Sequence, residues 1–368
     1  IVFDVGCTIT HNTNPDAYDY TEIFYKNITI DGFTAPPPGI TIKYGGIDIE
    51  DSNLHTGAVH TDARDIIVRG LILDAAVSST KSGGSISGIL VKKSYTCCTS
   101  PNNISPYNIV IDHNSFRGWY DDAVDMEMGT HDVTISYNYV GNNAQGTHQA
   151  MLVSGPPGPY NITMHHNYLA PPSWRNPYVS DHDICTSGNG PVAPKITGYV
   201  VNNLIHKVKT SQNMSGTSIW RGGTANVINN YYLGGPNVTS NDAGHFMDIC
   251  GVSTGNDCCG SYTNTCGCSI TTAKAYTIWI DGNLSRPAPA NDMNEYDVKN
   301  NNLVGNIGAG NVTAPLPMET WATMPIEEAL VAACRVMKES GRRPLDSVDA
   351  PFYTSLQSDM VARGDTCQ

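Results

Sequence analysis

The sequence predicts an all-β solenoid, a parallel β-helix, because one short phrase recurs along the chain. In the first three copies apolar residues lie two apart, as Ile109 and Ile111 do, which is the period of a strand rather than of a helix. The closing Asn residues lie 24, 29 and 36 positions apart, so one unit repeats with loops of variable length. The copies span residues 108–114, 132–138, 161–167 and 197–203, and later ones end at Asn230 and Asn283.

The Asn that closes each phrase suits the corner of a coil. Asn tolerates a left-handed backbone, and its amide can bond its own backbone or the Asn stacked on it in the next coil. The alternative is turn chemistry in another β fold, such as a sandwich, in which turns would recur about every 8–12 residues. We predict that five Asn residues stack at one corner: Asn114, Asn138, Asn167, Asn203 and Asn230.

The remaining elements follow from local patterns, and no linker divides the chain, so we expect one domain over residues 1–368. Apolar stretches predict earlier strands at 1–5, 28–30, 40–43, 65–73 and 89–91. Residues 234–272 break the rhythm and carry five Cys but no His within the Cys cluster, which predicts a disulfide-rich insertion in preference to a zinc site. Residues 325–340 predict a helix, with Pro325 near its start and Gly341 just past its end.

Composition narrows the classes of partner and the compartment. The 368 residues carry a net charge of −13, which argues against nucleic acid and against an anionic membrane surface. The same charge gives no help in binding an acidic polysaccharide unless a cation bridges the two. No apolar run reaches membrane-spanning length, and the start at Ile1 without Met predicts a processed product or a fragment.

Cysteine usage and glycosylation motifs both predict secretion. Eleven Cys in a chain with few charges suggest an oxidising compartment, and the odd number leaves one thiol that is free or bonded to a partner chain. Seven Asn-x-Ser/Thr motifs are candidate glycosylation sites. They lie at Asn27, Asn103, Asn161, Asn213, Asn237, Asn283 and Asn311.

A set of short motifs, specific only in combination, resembles one known family, the pectate lyases of polysaccharide lyase family 1. The resemblance covers nearly the whole chain except the insertion, and it implies a right-handed parallel β-helix, the pectin lyase-like solenoid. The motifs are Ile1-Val-Phe-Asp-Val5, Pro38-Gly-Ile-Thr-Ile42, Ile111-Asp-His-Asn-Ser-Phe116, Asp121-Asp-Ala-Val-Asp125, His165-His-Asn167, Arg175-Asn-Pro177 and Val201-Asn-Asn203.

The resemblance also implies a chemistry, β-elimination on a 4-linked uronate such as polygalacturonate. In this family an Arg takes the proton from C5, the C4 oxygen leaves, and calcium neutralises the neighbouring carboxylate. Matched position by position, Arg175 corresponds to the base, and Asp121 and Asp125 correspond to two calcium ligands. The family's supporting Lys falls on Gln149, beside His148, and Pro177 belongs to the motif of the base. We therefore predict Gln149, His148 and Pro177 as substrate-binding residues.

The departures from the family pattern concern charge. Ser85 and Ser87 stand where the family has its two earlier acidic ligands, so the resemblance implies at most weak calcium binding. Gln149 is neutral, and residues 178–180 carry no second Arg. Without these cations little would lower the pKa of Arg175, which in an ordinary Arg lies above about 12.

Two functions therefore remain open from the sequence. The first is a secreted polysaccharide lyase that acts on a uronate polymer through a reduced calcium site. The alternative is a catalytically inactive β-helix that binds glycan or forms a structural subunit of an extracellular assembly. Both predict an acidic polysaccharide as the partner.

Overall fold

A computed structural model describes most of the chain. The described residues are 1–11, 19–50, 63–75, 87–92, 105–119, 121–127, 129–141, 149–154, 159–170, 175–180, 198–208, 216–220, 223–234, 247–249, 262–263, 269–270, 277–286 and 324–367.

The strands enter three parallel sheets in strict rotation, so each coil gives one strand to each sheet. Sheet 1 contains β1 (Cys7–Thr10), β4 (Ile40–Lys43), β7 (Leu71–Asp74), β10 (Ser115–Arg117), β13 (Tyr139–Val140), β16 (Tyr168–Leu169), β19 (Leu204–Val208), β22 (Tyr231–Gly234) and β27 (Leu284–Arg286). Sheet 2 contains β2 (Asp19–Ile23), β5 (Gly45–Glu50), β8 (Ile89–Lys92), β11 (Asp122–Met126), β14 (Gln149–Val153), β17 (Tyr178–Ser180), β20 (Thr217–Trp220) and β23 (Met247–Ile249).

Sheet 3 completes each coil, and a short antiparallel hairpin lies outside the rotation. Sheet 3 contains β3 (Ile28–Asp31), β6 (Arg64–Arg69), β9 (Tyr107–Asp112), β12 (His131–Ser136), β15 (Tyr160–His165), β18 (Gly198–Val201), β21 (Thr224–Ile228) and β26 (Thr277–Asp281). The hairpin pairs β24 (Tyr262–Thr263) with β25 (Ser269–Ile270). The fold is a right-handed parallel β-helix, as the sequence predicts.

The core lies inside the coils and follows from the alternation of the strands. Ile109, Val133 and Ile162 are direct neighbours in successive coils of sheet 3, and all are buried. Stacking like residues in register gives each coil the same cross-section, so the solenoid grows without enlarging its core.

The predicted Asn stack is confirmed, and Asn283 extends it to six members. The main-chain N–H of Asn114 donates to Oδ1 of Asn138 at 2.9 Å, and its own Nδ2 donates to the same oxygen at 3.1 Å. The pattern repeats between each successive pair, at 2.9–3.1 Å, through Asn167 and Asn203 to the last pair, Asn230 and Asn283.

The backbone reason given for Asn at this corner is corrected by the structure. The left-handed φ belongs to the residue before each ladder Asn, for example 52° at His113, 51° at Tyr137 and 55° at His166. The ladder Asn is therefore required for its buried amide, which both donates and accepts between coils.

Two predicted boundaries are wrong at the level of single coils. Residues 1–5 form no strand, because only Val2 makes an isolated bridge, to Asp31. Residues 65–73 are two strands, since Gly70, at φ 69°, turns the chain from sheet 3 to sheet 1.

The predicted insertion 234–272 also begins too early, because Met247–Ile249 still pairs with β20 in sheet 2. Its Cys cluster at 250–268 lies outside the described residues.

Two helices follow the last coil, and the second was not predicted. Helix α1 spans Ala329–Glu339 and helix α2 spans Ala350–Ala362. The predicted start of α1 at Pro325 is wrong because the segment before Ala329 is docked in extended form on the β-helix. There the Glu327 N–H donates to Oδ1 of Asn202 at 3.0 Å, and Asn202 Nδ2 donates to the Glu327 carbonyl at 2.7 Å.

The helices cover the outer side of sheet 1. Their buried side chains, among them Val336 and Leu356, pack with Tyr139 and Tyr168, which point outward from that sheet. A disulfide joins Cys334 to Cys367. Neither described helix is long and apolar enough to cross a membrane.

Charged contacts tie the same segment to sheet 1 at two places, near its fourth strand and near its last. Arg117, on β10, lies 2.9 Å from Asp346 and 3.3 Å from Asp349. Near the other end of the solenoid, Asp365 accepts from Arg286 at 2.9 Å and from the Tyr231 hydroxyl at 2.6 Å.

We expect Asn167→Ala to lower the free energy of unfolding by about 3 kcal/mol or more. The change removes the acceptor of the buried Asn138 N–H and the side-chain donor to the Ile135 carbonyl, whereas Asn203 Oδ1 keeps the N–H of residue 167. Urea denaturation of both proteins measures the difference. Asn161→Ala is the matched control, because that amide makes one contact, to Asp132, and its loss should cost within about 1 kcal/mol. Equal losses for the two variants would contradict the role of the ladder.

We also expect stability to fall in acid through His206, which lies between Tyr168 Oη at 2.9 Å and Asp359 Oδ2 at 2.8 Å. Burial lowers the pKa of His206 from 6.5 to about 4, although the bond to Asp359 opposes the shift. Between these two values the unfolded chain binds more protons than the folded one, so the free energy of unfolding falls as the pH falls.

The His206 contribution should amount to roughly 2–3 kcal/mol between pH values of about 7 and 4.5. Denaturation at the two pH values, for the wild type and His206→Gln, isolates it, because all other groups are common to both proteins. Identical pH dependence in the two proteins would contradict it.

Candidate functional site

The outer face of sheet 2 gathers most of the candidate residues, and we call this face the groove. One outward row runs through Asp48, Leu90, Asp125, Leu152 and Tyr178, which are direct neighbours in five successive coils. Inward-facing residues alternate with this row and belong to the core. The strand period therefore brings Asp48 and Asp125 to the same side of the sheet, although 76 other residues separate them in sequence.

Arg175 is the centre of the acidic part of the groove. It precedes β17 and lies two coils beyond Asp122, whose register partner in the intervening coil is Gln149. The Arg175 side chain reaches back over that coil, so that its Nη1 lies 2.5 Å from Asp122 Oδ2 and 3.8 Å from Asp121 Oδ1. Asp122 is fully buried, whereas the side chain of Arg175 is 20% exposed.

A second cation, Lys92, lies in the coil before Asp125. Its Nζ is 3.5 Å from Asp48 Oδ2, and its side chain is 10% exposed. Lys92 is paired in register with the buried Glu50. The sequence interpretation did not include Lys92, because it belongs to a coil that carries none of the family motifs.

Tyr20, from the first coil, closes the side of the groove next to Ser87. The Ser87 N–H donates to Tyr20 Oη at 2.9 Å. Burial raises the pKa of Tyr20, and the charges of Asp48, Asp125 and Asp121 add to that effect, so the phenol lies near all three carboxylates. Tyr20 thereby takes up the space beside Ser87, at the position where the resemblance to the family had implied an acidic ligand.

The carboxylates of the groove favour the protonated form of Arg175, which cannot act as a base. Burial disfavours its charged form, but the carboxylates of Asp122, Asp121 and Asp125 outweigh this and raise the pKa of Arg175 above its ordinary value. In turn, burial raises the pKa of Asp122 well above its usual range, against the charge of Arg175. Burial, followed by the charges of Glu127 and Asp122, does the same to the pKa of Asp125.

The predicted substrate-binding residues have different outcomes. Gln149 lies between Asp122 and Arg175 in successive coils, and its Oε1 accepts no hydrogen bond from the described residues. Pro177 is buried directly before Tyr178, and its contact with a substrate stays a prediction. His148 lies outside the described residues.

The weak calcium site predicted at Asp121 and Asp125 finds no support in the described groove. Calcium takes about six to eight oxygen ligands. Asp121 and Asp122 face Arg175, and a neutral phenol lies where Ser87 replaces an acidic ligand. The described residues contain no group of three or more His, Cys, Asp or Glu side chains arranged to hold a metal ion. The residues present therefore do not fit calcium.

Of the glycosylation motifs, three fall on described residues. Asn27 is exposed, and Asn161 is partly buried at a corner. The prediction for Asn283 is wrong, because its amide is fully buried in the Asn ladder and donates to the Val227 carbonyl at 2.8 Å. The other four, at Asn103, Asn213, Asn237 and Asn311, lie outside the described residues.

Comparison with known proteins agrees with the fold. No family model matches the sequence, and no curated protein matches it. Among solved structures, the chain is similar to jun a 1, the major allergen from cedar pollen, with 14% identity and a TM-score of 0.54 over 92% of this chain and 79% of that one. It is also similar to the thermostable pectate lyase PL 47, with 15% identity and a TM-score of 0.50 over 83% of this chain and 66% of that one.

These identities show the fold alone. The sheet topology and the similarity to these two structures define the fold as a pectate lyase-like parallel β-helix. The function of the groove in this chain is a separate question. The ion pairs described above are the observations that bear on it.

We expect the Arg175–Asp122 pair to be strongly coupled. Arg175→Met should lower the free energy of unfolding by about 3–5 kcal/mol at neutral pH, since it leaves a buried carboxylate without its partner. The double variant Asp122→Asn/Arg175→Met should recover much of that loss. Urea denaturation of the four proteins of this mutant cycle measures the coupling. Arg64→Met is the control, because the Arg64–Asp65 pair is partly exposed, and it should cost less than about 1 kcal/mol. Additive effects at Asp122 and Arg175 would contradict the pairing.

Proposed function

We propose that this protein binds a polysaccharide along the groove and does not cleave 4-linked uronates at neutral pH. The observation that carries the proposal is the contact between Arg175 and Asp122. A general base must be unprotonated when it reacts, and it works best with a pKa near the operating pH. Arg175 is held protonated by the carboxylates beside it. The residue that matches the family's base is therefore an ion-pair partner in this chain.

Binding of glycan is supported by three polar side chains that this face leaves partly exposed beside the outward row, which is itself buried. A row of coils forms a long surface on which polar groups, Asp121, Gln149 and Arg175, are partly exposed. Hydroxyl groups of a sugar can donate to the carboxylate and amide oxygens there. One of the similar structures is a pectate lyase, an enzyme that acts on pectate. We propose a polysaccharide ligand for this chain because it shares that fold.

The second candidate is a polysaccharide lyase, favoured by the position of Arg175 on the groove. A uronate carboxylate that replaced Asp122 at the guanidinium would place the sugar ring beside Arg175, although it would itself favour the protonated guanidinium. Activity of this kind would appear under alkaline conditions, where a larger share of the guanidinium is unprotonated.

We propose an extracellular location for either function. The disulfide between Cys334 and Cys367 is of the kind that persists in oxidising compartments. Asn27 offers an exposed glycosylation motif. Cys7, on β1, is exposed and is the free thiol among the described residues, so a bond to a partner chain stays a prediction at that position.

We expect binding without cleavage at neutral pH. Affinity electrophoresis in gels that contain polygalacturonate, pectin or alginate should retard the protein in at least one polymer. Incubation with the same polymers should give no ultraviolet absorbance from an unsaturated uronate at neutral pH. The double variant Asp121→Ala/Gln149→Ala should lose most of the retardation. Asn108→Ala, on the outer face of sheet 3, should keep it. Rapid release of unsaturated uronate at neutral pH would overturn the proposal in favour of the lyase.

A further inference from the structure

We infer that the groove supplies its own cations, so that Arg175 and Lys92 neutralise the carboxylates that a divalent metal would otherwise bind. This goes beyond the proposed function, because it concerns what holds the groove together whether or not a glycan is bound. It also replaces the calcium dependence that the sequence implied.

Arg175 lies against two neighbouring carboxylates of the groove. A single nitrogen, Nη1, lies 2.5 Å from Asp122 and 3.8 Å from Asp121. These two residues open the Asp121–Asp125 stretch, from which the resemblance drew both calcium ligands. The guanidinium is therefore the counter-ion of the carboxylates at the place where the metal was expected. A metal ion that entered there would have to displace it, against the repulsion between two cations at contact distance.

Lys92 provides the same compensation one coil earlier. Its ammonium lies 3.5 Å from Asp48, beside the buried Glu50, and its side chain is almost completely covered. Lys92 and Asp48 lie on neighbouring strands of one sheet, so the hydrogen-bonded coils fix their separation. The positive charge of Lys92 is thus a fixed part of the groove and is not an ion bound from solution.

Few oxygen atoms of the groove remain available as ligands for a metal ion. Tyr20 is neutral at physiological pH and lies against the Ser87 N–H, among Asp48, Asp121 and Asp125. Asp125 Oδ1 is buried and accepts no hydrogen bond from the described residues. Asp48 Oδ1 and Asp122 Oδ1 are likewise buried without a hydrogen bond from the described residues, but the other oxygen of each carboxylate is paired with Lys92 or Arg175. Three such oxygens fall short of the six to eight ligands, roughly, that calcium requires. Calcium would therefore need oxygens from the same carboxylates that Lys92 and Arg175 already neutralise.

The test is a gain of metal binding on removal of the resident cation. Calcium is titrated calorimetrically into the wild type, Arg175→Met, Lys92→Met and the control Arg64→Met, and thermal unfolding is followed in calcium and in EDTA. The wild type and Arg64→Met should show the same midpoint in both solutions. Arg175→Met should bind calcium about tenfold or more tightly than the wild type, because Asp121 and Asp122 lose their counter-ion. Calcium should then raise its midpoint.

Lys92→Met keeps the proposal testable if Arg175→Met does not fold, and it should gain affinity for calcium in the same direction. A wild type that binds calcium tightly, with affinity unchanged or reduced in both variants, would overturn the inference. Equal affinities in all four proteins would overturn it as well.

Polysaccharide binding measured in EDTA separates this inference from the proposed function. Retardation by polymer in EDTA supports both. Retardation that requires calcium keeps the proposed function and overturns the inference. Loss of all retardation, together with the expected calcium results, keeps the inference and overturns the proposed function.

Discussion

The buried Asn ladder is the constraint on which the rest of the structure depends. A coil that turns three times exposes main-chain groups at each corner, and a buried N–H without a partner costs as much as a lost hydrogen bond. At the corner between sheet 3 and sheet 1 the ladder satisfies such groups with side chains, because each amide binds the backbone of one coil and the Asn of the next. Coils are thereby fixed in register, and with them the side chains that face outward from sheet 2. The groove inherits its geometry from a corner on the opposite side of the coil.

Charge is the second constraint on the structure. A β-helix places residues from distant coils side by side, so that carboxylates such as Asp48, Asp122 and Asp125 accumulate on one face. Such a face needs positive charge. Here that charge comes from two side chains of the protein, Arg175 and Lys92, which lie on different coils. The same arrangement that makes Arg175 a good counter-ion makes it a poor base.

The fold was predictable because its determinants are local and repeated. Each phrase carries its own strand period and its own Asn, so a few copies suffice to define the solenoid. The site was predictable only in part, because Tyr20, Lys92 and Asp122 join it through the stacking of coils, and no spacing in the sequence reports that. Helix α2 was detectable in principle. Tyr353, Leu356 and Met360 follow a helical period and are buried, but Pro351 and the polar residues around them obscure the pattern.

The C-terminal segment has a mechanical consequence. It runs along sheet 1 as a brace, tied to β10 through Arg117 and to β27 through Arg286, with the Cys334–Cys367 bond joining its two ends. Each coil of a solenoid contacts mainly its neighbours, so its resistance to opening depends on what lies beside it. Coils from β10 onward are clamped lengthwise, whereas the ladder begins at Asn114 and bonds back only as far as Val68 and Leu71, so the described coils before β7 lack it. The resistance of the solenoid to opening is therefore uneven along its length. The coils from β10 onward are stiff, whereas the first coils can open one at a time.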